Sequence, residues 1–305
     1  MRALLSRVHA APVGRQEARG GRRRRHARDR RRSVTVARRR ILLVGCGKMG
    51  QALGRGWLAR GQNPAGLVAI EPNDVMARAA RDAGIPTVRL LSQVDAAFQP
   101  DWVVLAVKPQ VAASVLTDYA RFAQPATFVS IIAGTRVSTL RTLLGPKAAV
   151  VRAMPNTAAA VERGMTAAFA GPGVSTGARS ECTALLDAVG DVAWIEDEAL
   201  MDAVTAVSGS GPAYVFLLIE CLAEAGVKAG LAPQLAQRLA RQTIVGAGEL
   251  ARVSPEAAQV LRQNVTSPGG TTEAALKVLM ASDGLQRLMT EAVAAAAARS
   301  RELAG

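Results

Sequence analysis

The sequence predicts an α/β fold in which a doubly wound parallel sheet is followed by an all-helical C-terminal half. From residue 40 to about residue 195, short apolar runs alternate with helical patterns. The runs are apolar at consecutive positions, which is typical of strands that helices cover on both faces. After residue 198 no strand pattern recurs, and long helical patterns continue to the C-terminus.

Each predicted element follows from a local pattern. The expected strands are 41–44, 67–70, 102–107, 128–132, 149–154, 166–170 and 192–195. The expected helices between them are 49–60, 74–83, 110–122, 137–144 and 175–189. Asp74 is expected to cap the second helix. Pro109 is expected to end the strand 102–107.

The C-terminal half is expected to contain helices 213–225, 232–253, one that begins at 254–256, and then 272–280 and 285–303. The segment 213–225 is apolar almost all round, which indicates a helix that is buried on every side. A small bundle has no room for such a helix, so we expect it in a subunit interface. We therefore expect an extension (1–37), a dinucleotide-binding domain (38–197) and a helical substrate-binding and dimerisation domain (198–305).

Composition excludes several classes of function. The protein has 305 residues and a net charge of +14, but residues 1–40 hold 15 arginines against two acidic residues. The other 265 residues are nearly neutral, so no nucleic acid is expected to bind the folded body. Both histidines lie in the extension, which removes histidine-based nucleophilic and metal chemistry from the body. No metal site is expected.

The remaining composition favours a soluble protein in the cytoplasm. No uninterrupted apolar run reaches the roughly 18 residues that span a bilayer, so no membrane association is expected. The three cysteines, Cys46, Cys182 and Cys221, are far apart and form no CxxC motif. They fit a reducing compartment and a packing role.

The arginine-rich extension, residues 1–37, is expected to be disordered, and three hypotheses compete for its role. In the first, the extension is a basic arm that binds nucleic acid or an acidic surface. In the second, it is an organelle transit peptide. In the third, it is a segment that the cell does not translate. We favour the third hypothesis, in which translation begins at a non-Met codon near Val34 or Val36.

A glycine motif lies between the first expected strand and the first expected helix. Its spacing, GxGxxG, is that of a Rossmann-type dinucleotide fingerprint. The first glycine permits a tight turn, the second lets a pyrophosphate approach the backbone, and the third lets helix pack on strand. The motif and candidate cofactor-binding residues are Gly45, Cys46, Gly47, Lys48, Met49 and Gly50.

Further cofactor contacts are expected where other strands end, because ligands bind at the carboxyl edge of such sheets. Glu71 ends the second strand, where an acid usually holds the adenosine ribose and disfavours a 2′-phosphate; Arg78 lies near enough to blur that preference. A later strand ends at Ala106, Val107, Lys108 and Pro109. Asn156 either binds the nicotinamide carboxamide or bonds its local turn.

The stretch 265–272, Val-Thr-Ser-Pro-Gly-Gly-Thr-Thr, indicates what the cofactor reduces. A helix start with two glycines and two threonines offers free N–H groups and hydroxyls, which suit a small carboxylate. An ordinary helix cap needs only one threonine. Together with the glycine motif, the stretch predicts hydride transfer to a small carboxylated substrate.

Five segments, 45–50, 106–109, 152–156, 200–214 and 265–272, resemble in this order those of pyrroline-5-carboxylate reductases. The resemblance covers roughly residues 40–300. It implies reduction of L-1-pyrroline-5-carboxylate to L-proline with NADPH or NADH, the last step of proline biosynthesis. It also implies a homodimer that interlocks through its C-terminal helices and assembles into larger rings, such as a decamer.

The resemblance also implies roles for the second motif. Thr272 would be the catalytic residue, with its hydroxyl on the imine nitrogen. The other substrate-binding residues would be Ser267, Gly269, Gly270 and Thr271, with the last three on the carboxylate.

Two other functions remain open from the sequence. A related imine or hydroxyacid reductase would share the two-domain plan, but the 3-hydroxyacid enzymes need a lysine on the long helix. Lys228 and Lys277 lie outside that helix. A non-enzymatic binding protein would instead act through the basic arm, with salt-sensitive DNA binding as its signature.

Overall fold

The computed structural model describes residues 39–303, and the predicted extension lies outside them. Eight strands form a single sheet in the order β3-β2-β1-β4-β5-β6-β7-β8. Their bounds are β1 Ile41–Val44, β2 Leu67–Ile70, β3 Thr87–Val88, β4 Trp102–Leu105, β5 Thr127–Ser130, β6 Ala149–Met154, β7 Gly164–Ala170 and β8 Gly190–Ile195. The predicted α/β fold class is thereby confirmed.

One pair of strands departs from the predicted parallel arrangement. β6 pairs with β7 in the antiparallel direction, whereas the other neighbouring pairs are parallel. Only residues 155–163 connect these two strands, and they form little more than a 3₁₀ turn. A parallel crossover needs a dozen or more residues, so this connection reverses the chain.

The central strands β1 and β4 are buried on both faces, as their continuous apolar runs predict, whereas the edge strands β3 and β8 are only partly buried. Along β1, the side chains of Ile41 and Leu43 join one core cluster, and those of Leu42 and Val44 join the other. The first cluster includes Trp57, whose indole N–H donates to the Leu185 carbonyl at 2.9 Å. Helices thus cover the sheet on both sides.

The helices that flank the sheet are α1 Lys48–Ala59, α2 Asp74–Asp82, α3 Pro109–Val115, α4 Val137–Leu144 and α5 Thr176–Leu186. Asn73, not Asp74, caps α2, because its side-chain oxygen accepts from the N–H of Met76 at 3.1 Å. The predicted helix 110–122 is divided into α3 and a 3₁₀ segment from Leu116 onward. The two-residue strand β3 was not predicted, because two residues are too short for a recognisable pattern.

The C-terminal part is helical throughout its described residues. It contains α6 Met201–Val204, a π-helical turn Thr205–Gly209, α7 Gly211–Lys228, α8 Pro233–Val253, α9 Ala258–Asn264, α10 Thr271–Leu279 and α11 Leu285–Leu303. The Ser300 hydroxyl of α11 donates to the buried Asp202 carboxylate of α6 at 2.6 Å. This bond ties the last helix to the first of the group.

A buried ion pair fastens the helical part to the sheet. Arg152 of β6 contacts Glu198 at 2.9 Å, and only 6% of the arginine side chain is exposed. The same carboxylate oxygen accepts from the N–H of Val137, the first residue of α4, at 2.8 Å. Glu198 therefore holds a strand and a helix start at the point where the helical part begins.

The helix α7 is exposed within one chain, although its composition predicts burial. Ala223 is its only buried residue, and Phe216 is 60% exposed. By length and composition alone, Glu198–Lys228 is the one described helical stretch that is long and apolar enough to cross a bilayer. Only 11% of its most apolar 18 residues are buried within the chain. The sequence criterion of an uninterrupted apolar run missed this stretch, because isolated polar residues interrupt it.

We expect Glu198→Ala to lower the free energy of unfolding by about 3 kcal/mol, because it leaves the Arg152 charge buried without its partner. Chemical denaturation at one fixed protein concentration measures the effect. Glu196→Ala is the matched control, since it removes an equally short but exposed contact to Arg179. Equal stability of the two variants would contradict the structural role of Glu198.

Candidate active site

The glycine turn is built by a close approach between the ends of neighbouring strands. Gly45 has a φ of +89°, and a Cβ atom there would lie 2.7 Å from the Ala106 carbonyl oxygen. Its N–H donates to the Ile70 carbonyl at 2.9 Å. A Cβ atom on Gly50 would lie 2.4 Å from the Gly45 carbonyl oxygen, so α1 packs directly on the turn.

The middle glycine faces open space. A Cβ atom on Gly47 would meet no atom within 4 Å, and no side chain caps the start of α1. The first N–H groups of a helix have no partner within it, and they suit a phosphate. Lys48 and Met49 supply such groups, so these residues fit the pyrophosphate of a dinucleotide.

Glu71 has a structural role that the sequence did not predict. The residue is 9% exposed, and its two carboxylate oxygens accept from the N–H groups of Cys46 and Asn73 at 2.8 and 3.0 Å. The carboxylate thus joins the glycine turn to the loop after β2. Its contact with an adenosine ribose stays a prediction, and its charge is no longer a strong argument for NADH.

A cation lies beside the same loop. The guanidinium of Arg89 contacts the Asp74 carboxylate at 3.0 Å and donates to the Pro72 carbonyl at 3.3 Å. Arg89 directly follows β3, the strand that the sequence did not predict, so sequence reasoning missed it. Its position at the adenosine end of the edge suits a coenzyme phosphate.

The thiol of Cys46, within the glycine motif, is unreactive at neutral pH. Burial and, to a smaller extent, the nearby Glu71 charge together raise the pKa of Cys46 to about 12. Because the thiolate is the reactive form of cysteine, this side chain takes no part in chemistry at neutral pH. Cys46 contributes through its backbone, which the Glu71 carboxylate holds.

The other predicted cofactor residues lie on the same carboxyl edge. Ala106 continues the ladder beyond β4, since its N–H donates to the Val44 carbonyl at 2.7 Å. Val107 is half-buried beside the glycine turn, and Lys108 and Pro109 are exposed at the start of α3. The fold therefore brings this segment to the glycine motif.

Asn156 bonds its surroundings within the chain. Its side-chain oxygen accepts from the N–H of Met165, and its amide nitrogen donates to the Ser208 hydroxyl, both at 3.3 Å. These bonds fit the local-turn interpretation, and the carboxamide contact stays a prediction. The bond between Asn156 and Ser208 joins the helical part to the end of β6, at the carboxyl edge of the sheet.

The π-helical turn explains the glycine-rich segment before α7. The N–H of Ser210 donates to the Thr205 carbonyl at 2.8 Å, which widens the helix by one residue. The Tyr214 hydroxyl donates to the Ala206 carbonyl at 3.0 Å, which makes Tyr214 a support of the turn. A Cβ atom on Gly209 would lie 2.6 Å from the Met154 side chain, so the glycine permits contact with β6.

The second motif forms an exposed turn before α10. Gly269 has a φ of +69°, and the N–H of Gly270 donates to the Ser267 carbonyl at 3.0 Å. The N–H of Gly269 donates to the Glu273 carboxylate at 2.6 Å. Thr271 and Thr272 occupy the first two positions of the helix, which has no side-chain cap.

The structure does not join this turn to the coenzyme edge within one chain. The turn's hydrogen bonds all go to residues 262–274. No hydrogen bond or ion pair among the described residues connects it to the glycine motif, and neither α9 nor α10 contains a buried residue. Among residues 39–303, no group of acidic, cysteine or histidine side chains is arranged to hold a metal.

These features define a class of protein. A sheet with a glycine turn at its carboxyl edge, followed by an all-helical part, is the plan of a nicotinamide-dependent oxidoreductase. The model of the family "NADP oxidoreductase coenzyme F420-dependent" matches residues 40–134. The model "Pyrroline-5-carboxylate reductase dimerisation" matches residues 198–303.

Several individual relatives of this chain are named pyrroline-5-carboxylate reductase. A pyrroline-5-carboxylate reductase of Pseudomonas aeruginosa is 42% identical over 87% of this chain and 97% of its own length. One from Mycobacterium tuberculosis is 40% identical over 87% and 96%. The structure of such a reductase from Coxiella burnetii superposes with a TM-score of 0.82 at 34% identity, covering 88% of this chain and 99% of that one.

A fourth relative carries a coenzyme. The Plasmodium falciparum pyrroline carboxylate reductase, whose structure has NADP bound, superposes with a TM-score of 0.74 at 30% identity. It covers 88% of this chain and 99% of its own. The chain belongs to the pyrroline-5-carboxylate reductase family, which confirms the resemblance found in the sequence.

We expect Gly47→Ala to keep the fold but to raise the Kd for the coenzyme by about tenfold or more, because the added methyl group stands where a pyrophosphate meets the backbone. Fluorescence titration with NADPH and thermal unfolding measure the two effects. Gly177→Ala on α5 is the control, since a Cβ atom there makes only an ordinary contact, at 3.8 Å from the Ser175 hydroxyl oxygen. Unchanged coenzyme binding by the Gly47 variant would contradict the assignment.

Proposed function

We propose that this protein reduces L-1-pyrroline-5-carboxylate to L-proline by hydride transfer from NADPH or NADH, as the last step of proline biosynthesis in the cytoplasm. The observation that carries the proposal is the turn 265–272, which combines N–H groups for a carboxylate with the Thr272 hydroxyl. The same chain carries the dinucleotide turn. We divide it into a coenzyme domain up to residue 197 and a helical domain from residue 198.

The reaction needs little from the protein beyond positioning. A cyclic imine is already electrophilic, and the bound nicotinamide supplies the hydride. The N–H groups of Gly269 and Thr271 hold the substrate carboxylate, Ser267 shapes the turn, and Thr272 contacts the ring nitrogen. The Gly270 N–H, which the sequence assigned to the carboxylate as well, instead donates to the Ser267 carbonyl. Alignment of this kind contributes about 7 kcal/mol or more, so a body without histidine suffices.

The coenzyme preference follows from the loop after β2. Backbone N–H groups already hold the Glu71 carboxylate, and Arg89 supplies a positive charge beside the loop. This arrangement accommodates the 2′-phosphate of NADPH. NADH, which lacks that phosphate, uses the same glycine turn, so the ratio of kcat/KM for the two coenzymes measures the contribution of Arg89.

The activity assay uses the purified full chain with each coenzyme and L-1-pyrroline-5-carboxylate. We expect imine-dependent coenzyme oxidation, and we expect Thr272→Val to lower kcat/KM by about 10- to 100-fold, because it removes one hydrogen bond to a charged group. Thr142→Val, at an exposed threonine of α4, is the matched control. A folded wild-type protein without turnover would contradict the proposed function.

We propose further that two chains build each active site. The substrate turn makes only local hydrogen bonds, and the helices around it bury nothing within their own chain. It lies within the residues that match the dimerisation model. The turn of one subunit therefore faces the coenzyme edge of its partner, and larger rings such as a decamer assemble from these dimers.

A partner subunit also accounts for the exposed apolar helix better than a bilayer does. The exposed side chains of α7 continue onto other helices, where Leu235, Leu239 and Leu288 are about half exposed. Charged residues interrupt those helices, so a membrane does not suit them. A second copy covers all of these surfaces at once.

Mixed dimers test the composite site. A Gly47→Val chain loses the open space that the pyrophosphate needs but keeps the fold, and a Thr272→Val chain loses the substrate contact. In a mixed dimer, one site combines the two intact halves, so statistical remixing of the two weak variants restores about a quarter of wild-type activity. If each chain held a complete site by itself, the mixture would stay as weak as the average of its components.

A further inference from the structure

A carboxylate of the chain itself occupies the anion-binding position in the substrate turn. The side chain of Glu273 accepts a hydrogen bond from the N–H of Gly269 at 2.6 Å, and the carboxylate charge strengthens such a bond. The second glycine amide is unavailable, because the N–H of Gly270 donates to the Ser267 carbonyl. An incoming carboxylate that takes the Gly269 amide therefore has to displace Glu273.

We propose that Glu273 occupies the position of the substrate carboxylate in the free enzyme and yields to it on binding, so that this residue sets the enzyme's affinity for its substrate. The proposal rests on the proposed function, because it assumes that the turn binds a carboxylated imine. No covalent bond is made or broken in the exchange. One carboxylate replaces another on the same N–H group.

Lys277 provides the place to which Glu273 moves. Its ammonium nitrogen lies 3.8 Å from the other carboxylate oxygen of Glu273, one helical turn further along α10. A glutamate four residues before a lysine is the favourable order for such a pair. The Lys277 side chain is 74% exposed and free to adjust, so the displaced carboxylate keeps a partner.

An ordinary helix cap differs from this arrangement. An acidic side chain at the third helical position usually reaches back to the N–H of the capping residue, which here is Gly270. Glu273 instead reaches one residue further, to Gly269. It thereby bonds a group that the proposed substrate needs.

Kinetics of two Glu273 variants of the full-length enzyme test the proposal. Glu273→Gln removes the charge, and Glu273→Asp keeps the charge on a side chain one methylene shorter. We expect both to lower the KM for L-1-pyrroline-5-carboxylate by about fivefold, with a smaller change in kcat, because neither competes well for the Gly269 amide. The inhibition constant of L-proline should fall in parallel.

Two further variants sharpen the test. Lys277→Met should raise KM by about twofold, because the displaced glutamate loses its partner. Glu196→Gln, which removes the acid of an exposed pair with Arg179 outside the helical part, is the matched control and should leave KM unchanged.

Each other outcome overturns the inference for a distinct reason. A lower KM for the glutamine variant alone would indicate simple charge repulsion. A higher KM together with a lower Tm in both variants would indicate a helix cap only. An active enzyme whose KM does not move contradicts the inference alone, whereas a wild-type enzyme without turnover contradicts the proposed function as well.

Discussion

The closeness of the β1 and β4 ends at Gly45 is the constraint on which the rest of the molecule depends. The Ala106 carbonyl leaves no room for a side chain at Gly45, and the left-handed backbone there turns the chain into α1. That turn aims the first N–H groups of α1 across the carboxyl edge of the sheet. Glu71 then fixes the turn from the other side through the Cys46 amide. The coenzyme edge is therefore rigid before any ligand binds, and a rigid edge suits a reaction that depends on alignment.

The helical half differs from the sheet, because much of its apolar surface is exposed within one chain. Its first residues are anchored firmly, through the buried Arg152–Glu198 pair and the bond between Ser300 and Asp202. Beyond them, α7 to α10 expose large apolar side chains. The residues that match the dimerisation model include these surfaces, so association of two chains buries them. In the composite site proposed above, the same association brings the substrate turn to the coenzyme.

The sequence predicted what is encoded locally. The strand before the glycine motif, the motif itself and the helical half were all recognised, because each has a continuous pattern of its own. The antiparallel β7 was missed, because strand direction depends on the length of the connection. The bond from Glu71 to Cys46 and the position of Arg89 were missed because the sheet joins residues that lie far apart in the chain. Likewise, the motif at 265–272 predicted free amides, whereas Glu273 holds one of them through side-chain geometry that no pattern reveals.

The π-helical turn at Thr205–Gly209 determines how the helix after it is oriented. One extra residue in a helix turns everything after it by about 100° around the helix axis. The residues before the turn, such as Met201 and Asp202, face their own chain, whereas α7 after it presents its apolar surface outward. The extra residue of this turn therefore sets the direction in which the apolar side chains of α7 face, and with it the direction from which a second subunit approaches.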